Sequence, residues 1–309
     1  MAWKTTNFSA ELQNFAAEVG ETGPIAIEGA RTRWDNGGEL APDTRTIAAP
    51  SGIAEYSPDE MTVSVRCGTM VSALHEELAS AGQRTALPDR GGSVGGAISV
   101  GENDVCVLGR GRLRDAVLGV RYVSAEGLFI SGGGPTVKNV TGFDIPRLFT
   151  GALGTLGCLA EVVIRTNPIP QRSQWYRSDG VDPFVIRRTL YRPGAVLWDG
   201  TTTWVLLEGK DDAVEDESKK LATLGDVQPV ADQPKLPTYR WSIDPSLVES
   251  TVARRDKPLL ASVGVGTIWS EQPQPARAVS AEVAQISERL KNNFDPTGRL
   301  NPGRLPGRS

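Results

Sequence analysis

KNVTGFDIPRLFTGALGTLGCLAEVVIRTN, residues 138–167, joins a glycine-punctuated turn to an apolar strand without breaking register. Gly142, Gly151, Gly154 and Gly157 are spaced too irregularly for a repeat. Each allows a positive φ or the close approach of a flat or charged group to the backbone. From Leu159 to Ile164 only Glu161 interrupts the apolar run, the pattern of a strand buried on both faces. A glycine turn leading into a buried strand is also a common structural corner, so the segment alone does not separate a cofactor cradle from a bend.

The distribution of glycine adds to this reading. The chain has 34 glycines in 309 residues, and 16 of them fall between Gly91 and Gly157. Within that window lie three strand-like runs, Ala116 to Ser124, Leu128 to Ser131 and Leu159 to Thr166, which a flexible linker would lack. Backbone amides unshielded by side chains form nests for anions, phosphate above all. Three segments suit a pyrophosphate. In PIAIEGARTRW (24–34) an alternating strand runs into Gly29, Ala30, Arg31, Thr32 and Arg33, a small-residue loop with two guanidinium groups. PDRGGSVGGAISVG (88–101) starts at Pro88 and brings Gly92, Ser93, Val94, Gly95, Gly96 and Ala97 together. The third is the opening stretch, with Gly142, Gly154, Gly157 and Leu159. Neither GxxxxGK[ST] nor a strand-to-helix GxGxxG occurs, so the nucleotide fold is neither a P-loop nor a Rossmann unit.

LRDAVLGVRYVSAEG (113–127), VKNVTGFDIPRLFTGALGTLG (137–157) and FDPTGRLNPGR (294–304) carry a resemblance to a known family. The chain resembles the PCMH-type FAD-binding proteins, the vanillyl-alcohol oxidase and p-cresol methylhydroxylase superfamily, and within it the E subunits of bacterial glycolate oxidases. The likeness spans about 25–170, with a shorter stretch at the C-terminus. It implies an α+β fold: an FAD-binding domain of two α+β subdomains over 1–170, then a small α+β cap-like domain over 171–309. It implies that residues 29–33 and 93–97 approach the pyrophosphate, and that Gly142 and residues 154–159 flank the flavin or the adenine. Where the family's first loop carries two or three glycines, this chain has Ala30 and Arg31 after Gly29.

Relatives that attach flavin covalently use a histidine or a cysteine. The sole histidine, His75, lies in a helical pattern with Met70, Leu74, Leu78 and Ala81, which suits a packing role. Non-covalent FAD is therefore expected. Cys67, Cys106 and Cys158 are far apart and form no CxxC, so neither a zinc site nor an iron–sulfur cluster is expected in this chain. Their odd number, with no apolar leader in MAWKTTNFSAELQNF, points to a reducing, cytoplasmic setting. No run is long enough to span a bilayer, and a net charge of −4 with no basic face speaks against nucleic acid.

After Pro170 the dense glycines give way to tryptophans, Trp175, Trp198, Trp204, Trp241 and Trp269, for which an internal position is expected. A hairpin over 196–209, a charged helix over 212–224 and loops at 228–237 and 272–275 follow. The last helix carries Val279, Val283, Ile286 and Leu290 on one side and stops at Asp295-Pro296. Residues 171–277 contain no histidine to act as a base near neutrality. Arg177, Arg187 and Arg188 could grip a substrate carboxylate, but nothing in the sequence places them near a flavin, so no catalytic residue is assigned.

Three functional readings stand. The first is an FAD-bearing redox subunit of a glycolate-oxidase-like complex, passing electrons between a catalytic flavin subunit and an iron–sulfur partner, peripheral to the inner membrane if those partners hold it there. The second is an assembly subunit with a decayed flavin site, motivated by Ala30-Arg31. The third is a stand-alone dehydrogenase acting on a small 2-hydroxy acid.

Overall fold

In the computed structural model, residues 8–134, 144–254, 258–275 and 279–306 are described. The chain divides into two compact units, the first drawn from 1–104, 112–168 and 276–308 and the second from 105–111 and 169–275.

The first unit opens with helix α1 (Ala10–Val19), capped by the Ser9 hydroxyl, which accepts from the Leu12 N–H. Strands β1 (Ile25–Glu28) and β2 (Arg45–Ala48) form a parallel pair. β3 (Ile53–Ser57) and β4 (Thr62–Arg66) enter the main sheet, and α2 (Val71–Ala79) follows, then the two-residue strand β5 (Gln83–Arg84) and α3 (Val94–Val100). The short helix α4 (Val107–Arg110) belongs to the second unit. The first unit resumes with α5 (Leu113–Ala116), β6 (Val117–Val123), β7 (Phe129–Gly133), α6 (Ile145–Phe149), β8 (Cys158–Arg165) and β9 (Asn167–Pro168), which pairs with β5. The five-stranded sheet runs β3-β4-β8-β6-β7, all neighbours antiparallel.

β8 takes the middle place because its side chains are apolar on both faces, and the first seven of its eight residues are buried. Val162 and Ile164 join a core with Val63, Val65, Leu74, Leu78 and Leu113. Cys158 and Ala160 join another with Leu12, Phe15, Ile25 and Ile47. Glu161, the one polar residue in the run, is 2% exposed and accepts from Arg121 at 2.8 Å, with Arg66 across the neighbouring strand. Burial pushes its carboxyl up from the usual range, against the pull of Arg121 and Arg66.

The second unit holds a seven-stranded sheet in the order β13-β10-β12-β11-β15-β16-β14. Its elements are β10 (Arg172–Asp179), α7 (Pro183–Thr189), β11 (Ala195–Trp198), β12 (Thr202–Gly209), α8 (Asp211–Ala222), β13 (Gln228–Val230), β14 (Tyr239–Ser242), α9 (Val248–Ala253), β15 (Leu259–Ser262) and β16 (Thr267–Ser270). The hairpin expected over 196–209 is β11–β12, paired antiparallel. Trp269 is buried, and Trp175, Trp198, Trp204 and Trp241 pack half-buried against apolar clusters.

One expectation needs correction. The final helix, α10 (Ala281–Phe294), and the tail after it are not part of the second domain; they return to the first. Leu300 is fully buried in the cluster of Leu12, Ile25 and Ile47, and bridges to Ile25 beside β1. The Asn301 N–H donates to the Ile25 carbonyl at 2.7 Å. Burying that leucine contributes about 1.5–3 kcal/mol toward holding the tail on the first unit. The apolar side of α10 packs through Leu290 and Phe294 only; Val279, Val283 and Ile286 are each more than half exposed.

Asp295 ties the end of α10 to the tail. Its buried carboxylate accepts from Lys291 Nζ at 2.5 Å and from the N–H groups of Leu300 at 2.8 Å and Arg299 at 3.0 Å. Burial pushes this carboxyl up, but the Lys291 and backbone hydrogen bonds outweigh it and hold the group below its ordinary 3.8. A depressed carboxyl contributes stability that is complete above the unfolded value and lost as pH falls through the folded one. Unfolding midpoints followed between about pH 2 and 5 should therefore fall with acid in the wild type, and Asp295→Asn should be less stable at neutral pH with a flatter acid limb.

Candidate functional site

A cleft in the first unit, with about 800 Å3 of open space counted out to solvent, is walled mainly by four stretches of chain, with Ala49 and Cys67 added singly.

The first wall is the loop leaving β1. Ile27, Glu28, Gly29, Ala30, Arg31, Thr32, Arg33, Trp34 and Asn36 all line it. The Trp34 N–H closes a turn on the Arg31 carbonyl at 3.2 Å, and the Asn36 N–H one on the Arg33 carbonyl at 3.3 Å. Among the described residues, the amides of Ala30, Arg31, Thr32 and Arg33 have no acceptor. Four consecutive unpaired donors in a glycine-led turn make a nest for an anion. Arg33 adds a second, independent sign. Its side chain is 10% exposed, Nε pairs with the buried Glu102 and Nη1 donates to the Gly91 carbonyl at 2.7 Å, yet Nη2 is buried without a partner. A buried, unpaired guanidinium N–H is costly unless a ligand accepts from it.

Arg31 stands where a second glycine would ease the turn, and its φ of +56° is in the left-handed region. The conformation costs a non-glycine residue about 1–2 kcal/mol. Two contacts offset it: an ion pair with Glu28 at 2.5 Å, and a position over the Trp34 ring, 4.8 Å from its centroid. The pair with Arg31 also holds the Glu28 carboxyl below its ordinary value.

The second wall, Ser93, Gly95 and Gly96 with Ser99 and Val100, differs from the sequence expectation. Its amides are not free. Val94 N–H donates to Thr69 O and Gly95 N–H to Cys67 O, both at 2.8 Å, Gly96 N–H to Ser93 Oγ at 3.2 Å and Ala97 N–H to Ser93 O at 3.0 Å. The glycines serve close packing instead: a Cβ on Gly95 would lie 2.8 Å from Cys67 Cβ and 2.9 Å from its carbonyl oxygen, and one on Gly29 would overlap Ser93 Oγ. Pro88, Gly92, Val94 and Ala97 are buried behind the wall rather than lining it, with Val94 and Ala97 in the main core. Gly92 stays close to Thr32 and Arg33, where a Cβ would not fit.

The third wall is apolar. Leu153, Gly154, Gly157 and Leu159 line it as expected for the last two glycines and Leu159, while Gly142 lies outside the described residues. Gly157 is required by Tyr122 and Phe149, whose rings a Cβ would meet. Ala49 and Cys67 complete this side. The Cys67 thiol is pushed far above its ordinary value by burial and by the charge of Glu161, so it is a packing group rather than a nucleophile.

The fourth wall was not legible in the sequence: Asn301 and Arg304, from the tail. Asn301 donates its side-chain amide to the Leu153 carbonyl, and Arg304 lies over the Trp34 ring, 5.2 Å from its centroid. The tail motif was noted as a resemblance, but no local signal ties it to a loop more than two hundred residues earlier.

His75 lies apart from the cleft, with Nε2 2.7 Å from Thr85 Oγ1. Arg177 is exposed and pairs with Asp179, Arg187 packs beside Gly264, and Arg188 is exposed. Among the described residues no group of His, Cys, Asp and Glu could hold a metal, and no helix is long and apolar enough to cross a membrane.

The cleft thus combines an amide nest with an unpaired guanidinium donor at one side and an apolar wall at the other, which fits a molecule with a diphosphate and a flat ring. The comparisons with known proteins agree. An FAD binding domain family matches residues 9–133. Glycolate oxidase subunit GlcE of Escherichia coli K12 is 25% identical over 96% of this chain and 96% of its own length. D-lactate dehydrogenase of Archaeoglobus fulgidus is 28% identical over 47% of this chain and 33% of its own. Two solved structures of alkyldihydroxyacetonephosphate synthase superpose with TM-scores of 0.63 and 0.65 at 12% and 13% identity, covering 91% and 95% of this chain and 73% and 72% of theirs, a likeness of fold.

Proposed function

We propose that this chain, an FAD-binding oxidoreductase-family protein of the PCMH type, is the flavin-bearing redox subunit of a glycolate-oxidase-like complex that oxidises a small 2-hydroxy acid. The observation that carries the reading is the nest at 30–33 beside the unpaired Arg33 Nη2, because it supplies what a diphosphate needs and nothing within the described chain uses it. Bound FAD supplies a two-electron acceptor that can pass electrons on singly. The chain's own residues hold and orient it. The amides of Ala30 to Arg33 and the unpartnered Nη2 of the Arg33 guanidinium grip the diphosphate, and the Leu153–Leu159 wall excludes water from the ring.

Attachment is non-covalent in this reading. His75 is turned to Thr85, and the Cys67 thiol is held protonated by its burial. Acid precipitation should leave the flavin in the supernatant; yellow colour retained in the washed pellet would contradict non-covalent binding.

The division of labour follows from what the cleft lacks. Among the described residues lining it there is no histidine, and its one carboxylate, Glu28, is held by Arg31. Oxidation of the substrate is therefore assigned to a partner flavin subunit, with electrons leaving through an iron–sulfur partner that would also hold the assembly at the membrane. The name of the Escherichia coli relative, a subunit of glycolate oxidase, supports a complex of several chains. Glycolate or D-lactate with a dye acceptor should give no turnover with the isolated chain and should reduce its flavin only when partner subunits are added. Steady turnover by the chain alone would replace this reading with the stand-alone dehydrogenase.

The assembly-subunit reading rests on Arg31, and its structure weakens it, since the turn is kept by the Glu28 pair and the Trp34 contact. Arg31→Gly should retain FAD within about threefold, backbone ease offsetting the lost contacts. Arg31→Val, a β-branched residue forced to positive φ, should weaken it by more than about tenfold. Equal affinity in both variants and wild type would show that the loop does not touch the cofactor.

A further inference from the structure

We infer that Arg304 is a positioning residue for the cofactor: the docked C-terminal tail shapes the diphosphate loop, so that tail docking and FAD binding strengthen one another. This rests on the FAD reading of the cleft. Arg304 is 7% exposed, and its Nη1 donates to the carbonyls of Asn36, at 2.9 Å, and Gly38. Its guanidinium and that of Arg31 lie over the same Trp34 ring. Trp34 in turn closes the turn on Arg31 that leaves the amides of 30–33 unpaired. The chain of contacts therefore runs from tail to ring to turn to donors, each link within one compact unit.

Asn301 makes the same connection on the opposite wall. It takes a left-handed backbone, φ +50°, donates from its backbone N–H to the carbonyl of Ile25, the first residue of the strand that leads to the loop, and donates from its side chain to Leu153, itself at φ +52° in the apolar wall. One short tail segment thus fixes the carbonyls that border both the anionic and the apolar ends of the cleft. A ligand that needs this arrangement stabilises the docked tail by the same factor that the docked tail strengthens the ligand.

The test uses the full chain freed of flavin. FAD is titrated by quenching of its fluorescence into wild type, Arg304→Ala, Arg304→Lys and Trp34→Leu, and into the double variant of Arg304→Ala with Trp34→Leu. In parallel, trypsin cleavage after Arg304 is timed with and without FAD and read by mass spectrometry. Arg304→Ala should weaken FAD by about tenfold, Arg304→Lys by less, and the double variant by no more than the worse single change, since both break one chain of contacts. FAD should slow cleavage after Arg304 in the wild type by a similar factor. Wild-type affinity in a folded Arg304→Ala chain, or cleavage indifferent to FAD, would overturn the coupling while leaving the cofactor reading in place. A wild-type chain that takes up no FAD would overturn both.

Discussion

Replacing Arg299 by methionine is expected to cost several kcal/mol of stability, since each buried acceptor left without a donor costs about 1–3 kcal/mol. Arg299 is 5% exposed and donates to five carbonyls: Gly23 at 2.8 Å, Gly20 and Thr22 at 3.0 Å, Ala125 at 3.1 Å and Val19 at 2.8 Å. Four of these end helix α1 or the turn into β1, and the fifth follows β6, so a single side chain joins the tail to two stretches of backbone. The methionine would fill much of the space but leave the carbonyls without donors, which is the costly half of the exchange. Chemical denaturation should show the midpoint moved with the slope unchanged, and FAD binding weakened because the tail is loosened. A shift under about 1 kcal/mol would mean that water or the neighbouring backbone satisfies those carbonyls.

Gly95→Ala is the second large effect. The added Cβ meets Cys67 Cβ at 2.8 Å and the Cys67 carbonyl at 2.9 Å, while the Gly95 N–H is bonded to that same carbonyl. Backbone presses on backbone, so no rotamer change relieves it. Overpacking of this kind costs about 1–3 kcal/mol, and here the displaced segment is a wall of the cleft, so FAD affinity should fall with stability. Gly96→Ala is the matched control for stability: its Cβ would meet only Ser93 Oγ, at 3.3 Å, and the unfolding midpoint should stay near wild type. Equal behaviour of the two variants would show that the Cys67 contact relaxes freely.

The parts of this fold that could be read from sequence are those written in local pattern. The run from Leu159 to Ile164 is apolar on both sides and becomes the central strand; the loop from Gly29 to Arg33 combines a glycine with two arginines after a strand and becomes the nest. The parts that could not are those decided by distant backbone. Residues 93–97 look like a second nest, but whether their amides are free depends on Thr69 and Cys67, which take two of them. The tail looks like the end of the second domain because it follows it in the chain; only the fit of Leu300 among Leu12, Ile25 and Ile47, and the reach of Arg299 and Arg304 to carbonyls near the N-terminus, brings it back. Cys67 likewise gives no sign in the sequence of lining a cleft, since it does so through a glycine contact 28 residues onward.

The central claim is that the cleft between the 29–36 loop, the 93–100 segment, the 153–159 wall and the tail holds FAD. It is tested most directly by the visible absorbance spectrum of the purified chain, with chromatography of whatever is released on heating. A flavin spectrum, with FAD released at about one per chain or bound to that level on reconstitution, is the predicted result. A colourless chain that cannot be reconstituted with FAD would contradict it and leave the assembly-subunit reading in its place.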